Sequence, residues 1–196
     1  LYTPQEVPQQ KPDKCESFAA GYTGLPMDKT FKLLAAYNYW ANTRLYDAAA
    51  KLSDSAYRVD RGAFFGSVHR TLNHVLVADR IWLKRFGARD EAPGALDVVL
   101  FDDLPGLRAA REAEDAGIVA YVDRLTPERL DAPLTYRSMV NPQPFAQPLN
   151  MALIHFFNHQ THHRGQVHAL MTALEGRDFA PSLDLVLFQR TTGSGI

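Results

Sequence analysis

A chain of 196 residues with 46% hydrophobic content can bury one core, and 21 Lys+Arg against 22 Asp+Glu leave no basic surplus for nucleic-acid binding. The single cysteine, Cys15, excludes a disulfide framework and a thiolate cluster, so a metal site has to come from His, Asp or Glu, and a cytoplasmic compartment is expected. No apolar run approaches the roughly 20 residues of a membrane span, and the first residues lack the basic and apolar regions of a secretory signal; neither membrane contact nor export is expected.

Residues 1–26, LYTPQEVPQQKPDKCESFAAGYTGLP, are rich in Pro and Gln and carry no periodic apolar pattern. They read as an N-terminal extension that need not be native, with Met27 as a natural start and one domain over 27–196. A first helix is predicted over Asp28 to Leu52, with Asp28 as N-cap and Phe31, Ala35, Asn38, Ala41 and Leu45 along one face. A second runs from Ser67 to Phe86 and stops at Gly87; a third runs from Asp103 to Leu125, ahead of the Thr126-Pro127 step. PLTYRSMVNPQPFAQP, residues 133–148, alternates β-formers with prolines around Asn141-Pro142 and suits a small hairpin or irregular excursion. The fourth helix is predicted from Asn150, as N-cap, to Glu175 and Gly176. Four helices of this length with two longer connections give an all-α fold, a four-helix bundle.

HFFNHQTHHRGQVH, residues 155–168, puts five of the seven histidines on the fourth helix. Positions four apart lie about 40° apart around a helix, so His155, His159 and His163 share a stripe, and an i, i+4 pair can offer two imidazole nitrogens to one ion. A third ligand has to come from another helix, where His69 and His74 remain. Five residues apart, these two stand about 140° around the second helix, so both are not expected to face one ion, and periodicity does not choose between them. A polar network or a histidine-lined dimer interface accounts for the same residues without a metal.

Secondary readings attach to nearby positions. Gln166, one turn beyond His163, can orient a ligand or a water, and His155 and His162 can support the site or face solvent. Gly165 in mid-helix suggests close approach of another backbone, and Asp79 is a partner for Arg164 across the helix interface. Tyr37, Trp40, Trp82 and Tyr136 are core residues or pocket walls.

TLNHVLVADRIW, residues 71–82, and NHQTHHRGQV, residues 158–167, in this order and separation, resemble the DinB-like (DinB/YfiT) family of metalloenzymes, which are not DNA polymerases. The resemblance covers Met27 to about Gln189. It implies a four-helix bundle, often a homodimer, with a divalent metal held by three histidines, which fall here on His74, His159 and His163. Three histidine ligands leave positions open on Zn²⁺ or Ni²⁺, as in a catalytic site. The resemblance further implies chemistry on a small-molecule thiol and an electrophile, of the S-transferase type. The alternatives are a metal-binding stress-response or interaction protein without turnover, and a metal-free bundle that dimerises. Because each imidazole has to be neutral to ligate, metal is expected to leave as pH falls from about 6 to 5.

Overall fold

The computed structural model describes residues 26–139 and 143–194, so the extension before Pro26 and the Asn141-Pro142 step lie outside the described residues. Helix α1, Met27–Ala49, follows the extended backbone of Pro26, whose carbonyl takes the Thr30 amide at 3.0 Å. Asp28 is therefore not the N-cap that the sequence suggested. It lies inside the first turn, where its charge meets the positive end of the helix. A short α2, Asp54–Arg58, is capped by Ser53.

Helix α3, Val68–Arg85, is capped by the Ser67 hydroxyl, which accepts from the Arg70 amide, and ends at Phe86 before Gly87 at φ 75°. Asp103 caps α4, Leu104–Asp123, through the Gly106 amide, and a single turn, α5, Pro127–Asp131, follows under Thr126. The excursion is a two-stranded antiparallel hairpin: β1, Pro133–Arg137, pairs with β2, Pro144–Pro148, in a register from Pro133 opposite Pro148 to Arg137 opposite Pro144.

Helix α6, Leu149–Glu175, leaves β2 directly, with the Leu149 amide on the Ala132 carbonyl at 3.0 Å. That continuity places Asn150 one residue inside the helix, not at its cap, and its side chain donates to Asp131. Helix α7, Leu185–Thr192, sets Phe188 against Tyr37 and Trp40 of α1. Three short helices, α2, α5 and α7, were not anticipated; each has fewer than nine residues, too short to repeat a periodic pattern.

The described chain is mostly helical with this one small sheet. Helix α1 packs on α4 and α6, and α3 packs on the same two helices. Two apolar clusters stack along their length. One gathers Phe31, Phe86, Ile118, Leu153 and Phe156; the other gathers Leu45, Leu72, Leu107, Val167 and Met171.

Between these clusters every long helix contributes polar side chains. Asn38 and Asn42 come from α1, Asp79 from α3, Arg111 and Asp115 from α4, and Gln160 and Arg164 from α6, all buried. Asp79 accepts from Arg111 at 2.5 Å and Gln160 at 2.9 Å, and Asp115 accepts from Asn38 at 2.8 Å and from Asn42. Arg164 bonds Asn38, not Asp79; the Asp79–Arg164 pair expected from the sequence is replaced by Asp79–Arg111, because Arg111 brings the nearer guanidinium from α4. Among the described residues no helix is long and apolar enough to cross a membrane.

Candidate metal centre

At the level of this polar layer, on the seam between α3 and α6, three imidazoles converge. The ligating nitrogens of His74, His159 and His163 all lie within 4.8 Å of one another. His159 Nε2 is 3.4 Å from His74 Nε2 and 3.1 Å from His163 Nε2. His159 and His163 are separated by one helical turn on α6, and α3 packs directly against that face.

The outer nitrogens of two rings fix their protons. His74 Nδ1 sits 2.9 Å from the Leu96 carbonyl, which only accepts, so the proton is on Nδ1 and a lone pair is left on Nε2. His163 Nδ1 donates to Gln166 Oε1 at 2.8 Å, with the same result. His159 Nε2 carries at most one proton, so it satisfies at most one of its two neighbours. At least one of these close contacts therefore sets lone pair against lone pair, unless a cation lies among them. The separations match the nitrogen–nitrogen edge of about 3.3 Å required by tetrahedral bonds of ~2.0–2.1 Å. The donor set and its spacing thus fit a divalent transition metal.

Burial makes these rings poor bases. It lowers His159 to about 3, with His163 and His74 adding repulsion. Burial likewise takes His163 to about 4, against the opposing bond to Gln166, and lowers His74 against the bond to Leu96. All three are neutral at pH 7, the form that ligates. Proton competition for His159 and His163 accordingly begins below the pH 6 to 5 range that unperturbed histidines give.

Other residues divide between site and scaffold. His69 bonds the Phe101 carbonyl at 3.1 Å, away from the cluster, so the packing chooses His74 where periodicity could not. Gln166 bridges two rings: it accepts from His163 and donates to His162 Nε2 at 3.1 Å. His162 is exposed and touches the centre only through this bridge and an edge-on contact with His163. His155, also exposed, packs on Trp82 with ring centroids 5.0 Å apart and lies 6.0 Å from the His159 ring. Gly165 has no atom within 4 Å of where a Cβ would stand, which removes the close-approach explanation offered for it.

Phe65 and Leu96 complete the surroundings, and the sequence reading had singled out neither. The Phe65 ring stacks on His74 at 3.8 Å and meets His163 edge-on at 5.6 Å. Its loop is a tight turn with Gly66 at φ 78°, where a Cβ would fall 3.0 Å from Asp60 Oδ2. The paired glycines around Phe64-Phe65, just before the Ser67 cap, are the signal that could have marked this segment; the Leu96 carbonyl has no side-chain signature. Trp82 and Tyr136 wall a cavity of about 300 Å³ that reaches His159, whereas Tyr37 and Trp40 belong to the cluster around Phe188.

A mostly helical domain with three converging neutral histidines defines a class, the helical proteins with a candidate metal centre. The DinB family model matches residues 27–191, and the chain belongs to the DinB family. The chain is 26% identical over 174 residues to "Protein DinB" of Bacillus subtilis (strain 168), an alignment covering 84% of this chain and 97% of that protein. No solved structure gives a significant match.

Proposed function

We propose that the protein is a metal-dependent enzyme of the S-transferase type, in which His74, His159 and His163 hold one divalent transition metal, zinc or nickel, and a small-molecule thiol reacts with an electrophile. The observation that carries the reading is the pair of short Nε2 contacts to His159 from rings whose protons are committed elsewhere. Imidazole donors suit these metals, and three of them leave room for an exchangeable ligand. Such a metal would supply positive charge that favours thiolate over thiol at neutral pH.

The protein's residues do the positioning. The Leu96 carbonyl and Gln166 hold His74 and His163 with their lone pairs inward. Phe65 covers the His74 face and restricts water, while the cavity beside His159 leaves one approach open. The ring of contacts α1–α4–α3–α6 supports a four-helix bundle as the scaffold. A cytoplasmic homodimer is the setting we propose.

The test is thiol alkylation. In the reaction of a low-molecular-weight thiol with 1-chloro-2,4-dinitrobenzene, a sulfur–carbon bond forms, chloride leaves and the thiol proton passes to solvent. Metal-replete protein should accelerate the reaction across a panel of thiols, and metal-free protein and His159→Ala should not. A metal-replete protein with no acceleration on any thiol would favour the alternative, a metal-binding stress-response or interaction protein without turnover.

A further inference from the structure

The cavity of about 300 Å³ beside His159 has a composition that selects a ligand. Three aromatic rings contribute walls, from Trp82, Tyr136 and His155, and Ile81, Leu96 and Met139 add apolar surface. Among the described residues of the lining, Arg85 is the one that is permanently charged, and none is a carboxylate.

Arg85 is placed for this role by its helix. Positions 74, 78, 82 and 85 follow one another by turns along α3, and helical side chains lean toward the N-terminus, so Arg85 reaches back toward the histidines. Its guanidinium carbon lies 4.5 Å from the Trp82 ring centroid and 5.0 Å from that of Tyr136, and one nitrogen donates to the Arg137 carbonyl at 3.2 Å. The cationic slot that two such rings offer is therefore filled by the protein's own side chain, and a cationic ligand would meet like charge. A half-buried guanidinium without an acid in its cavity favours an anion, and a planar fork matches a carboxylate.

We infer that this cavity is a subsite for a small organic acid with a flat or apolar body, its carboxylate held by Arg85 and its other end facing His159. The inference rests on the proposed reactive centre for its direction, since it makes the acid part of the substrate. It stands apart from that reading in its binding chemistry, which needs Arg85 and the aromatic walls alone.

The experiment compares phenylacetate with its neutral isostere phenylacetamide by calorimetric titration of the full chain, metal-replete and metal-free. Phenylacetate should bind at least 10-fold more tightly than the amide. Arg85→Gln, which keeps a donor for the Arg137 carbonyl but loses the charge, should abolish that preference with metal per chain unchanged. Arg85→Lys should keep most of it. Equal affinity for acid and amide, or a preference that survives Arg85→Gln, would overturn the assignment, the latter because the metal would then be taking the carboxylate. Failure of the metal-centre reading shows separately, as absent metal, with the acid preference still measurable on metal-free protein.

Discussion

Two groups of buried polar side chains occupy the same level of α3 and α6, and they are balanced in opposite ways. Facing inward, Asp79 and Asp115 stand against Arg111 and Arg164, two acids with two bases, tied by Asn38, Asn42 and Gln160 across all four long helices. Burial pushes the Asp79 carboxyl up to about 6 while Arg111 pulls it down, so the layer supplies its own countercharge. Facing the α3–α6 seam, His74, His159 and His163 have no acid among them, and the single proton that His159 Nε2 can carry satisfies at most one of its two neighbours. The first group carries its own countercharges, whereas the second is a set of neutral donors whose spacing fits a cation. Polar burial alone therefore does not mark a candidate metal site; converging neutral imidazoles with no acid in the set do.

The sharpest break of this comparison removes Asp79. Asp79→Ala removes one of the two carboxylates on the buried Arg111 guanidinium, leaving Asp115 at 2.8 Å, and also strips Gln160 of its acceptor; it should cost about 1–3 kcal/mol in urea unfolding. Any protein that remains folded should keep its metal. His159→Ala should do the reverse, lowering metal affinity by more than the roughly 10–100-fold typical of a lost supporting residue. Stability of the metal-free form should then change little, because His159 is only half-buried. Gln166→Ala, which frees His163 Nδ1, should reduce metal affinity by about 10–100-fold in competition with a chelating dye.

The pH response separates the groups further. His159 and His163 stay neutral in the fold down to about 3 and about 4, against about 6.5 in the unfolded chain. Between these values the unfolded state binds more protons, so metal-free protein should lose stability as pH falls below about 6.5, and His159→Ala should flatten that slope. The smallest effect belongs to His162→Ala, which removes an exposed acceptor of Gln166 and an edge-on contact with His163 and should shift metal affinity less than Gln166→Ala does.

The long helices were legible because their apolar positions repeat over many turns, and Ser67 and Asp103 carry cap chemistry in their side chains. Asp28 and Asn150 looked equally good as caps. They failed because Pro26 and Pro148 already deliver the chain in extended form two residues earlier. The i, i+4 spacing of His159 and His163 could be read directly, while the choice of His74 over His69 depended on how α3 rotates against α6, which its nearly all-round burial hides. Phe65 and the Leu96 carbonyl act from loops: the glycines that flank Phe64-Phe65 mark a turn but not what its ring touches, and a backbone carbonyl has no side-chain signature. The partner of Asp79 was misread for a related reason: Arg164 and Arg111 both lie in the buried layer, and only the packing of α4 decides between them.

The central claim is that the histidine trio is completed by a metal ion. It is tested most directly by metal per chain, measured by elemental mass spectrometry on untagged wild type and His159→Ala after incubation with Zn²⁺ or Ni²⁺ and removal of excess. The account predicts about one equivalent in the wild type and close to none in the variant. An absence of metal in the wild type, or equal occupancy in both proteins, would contradict it.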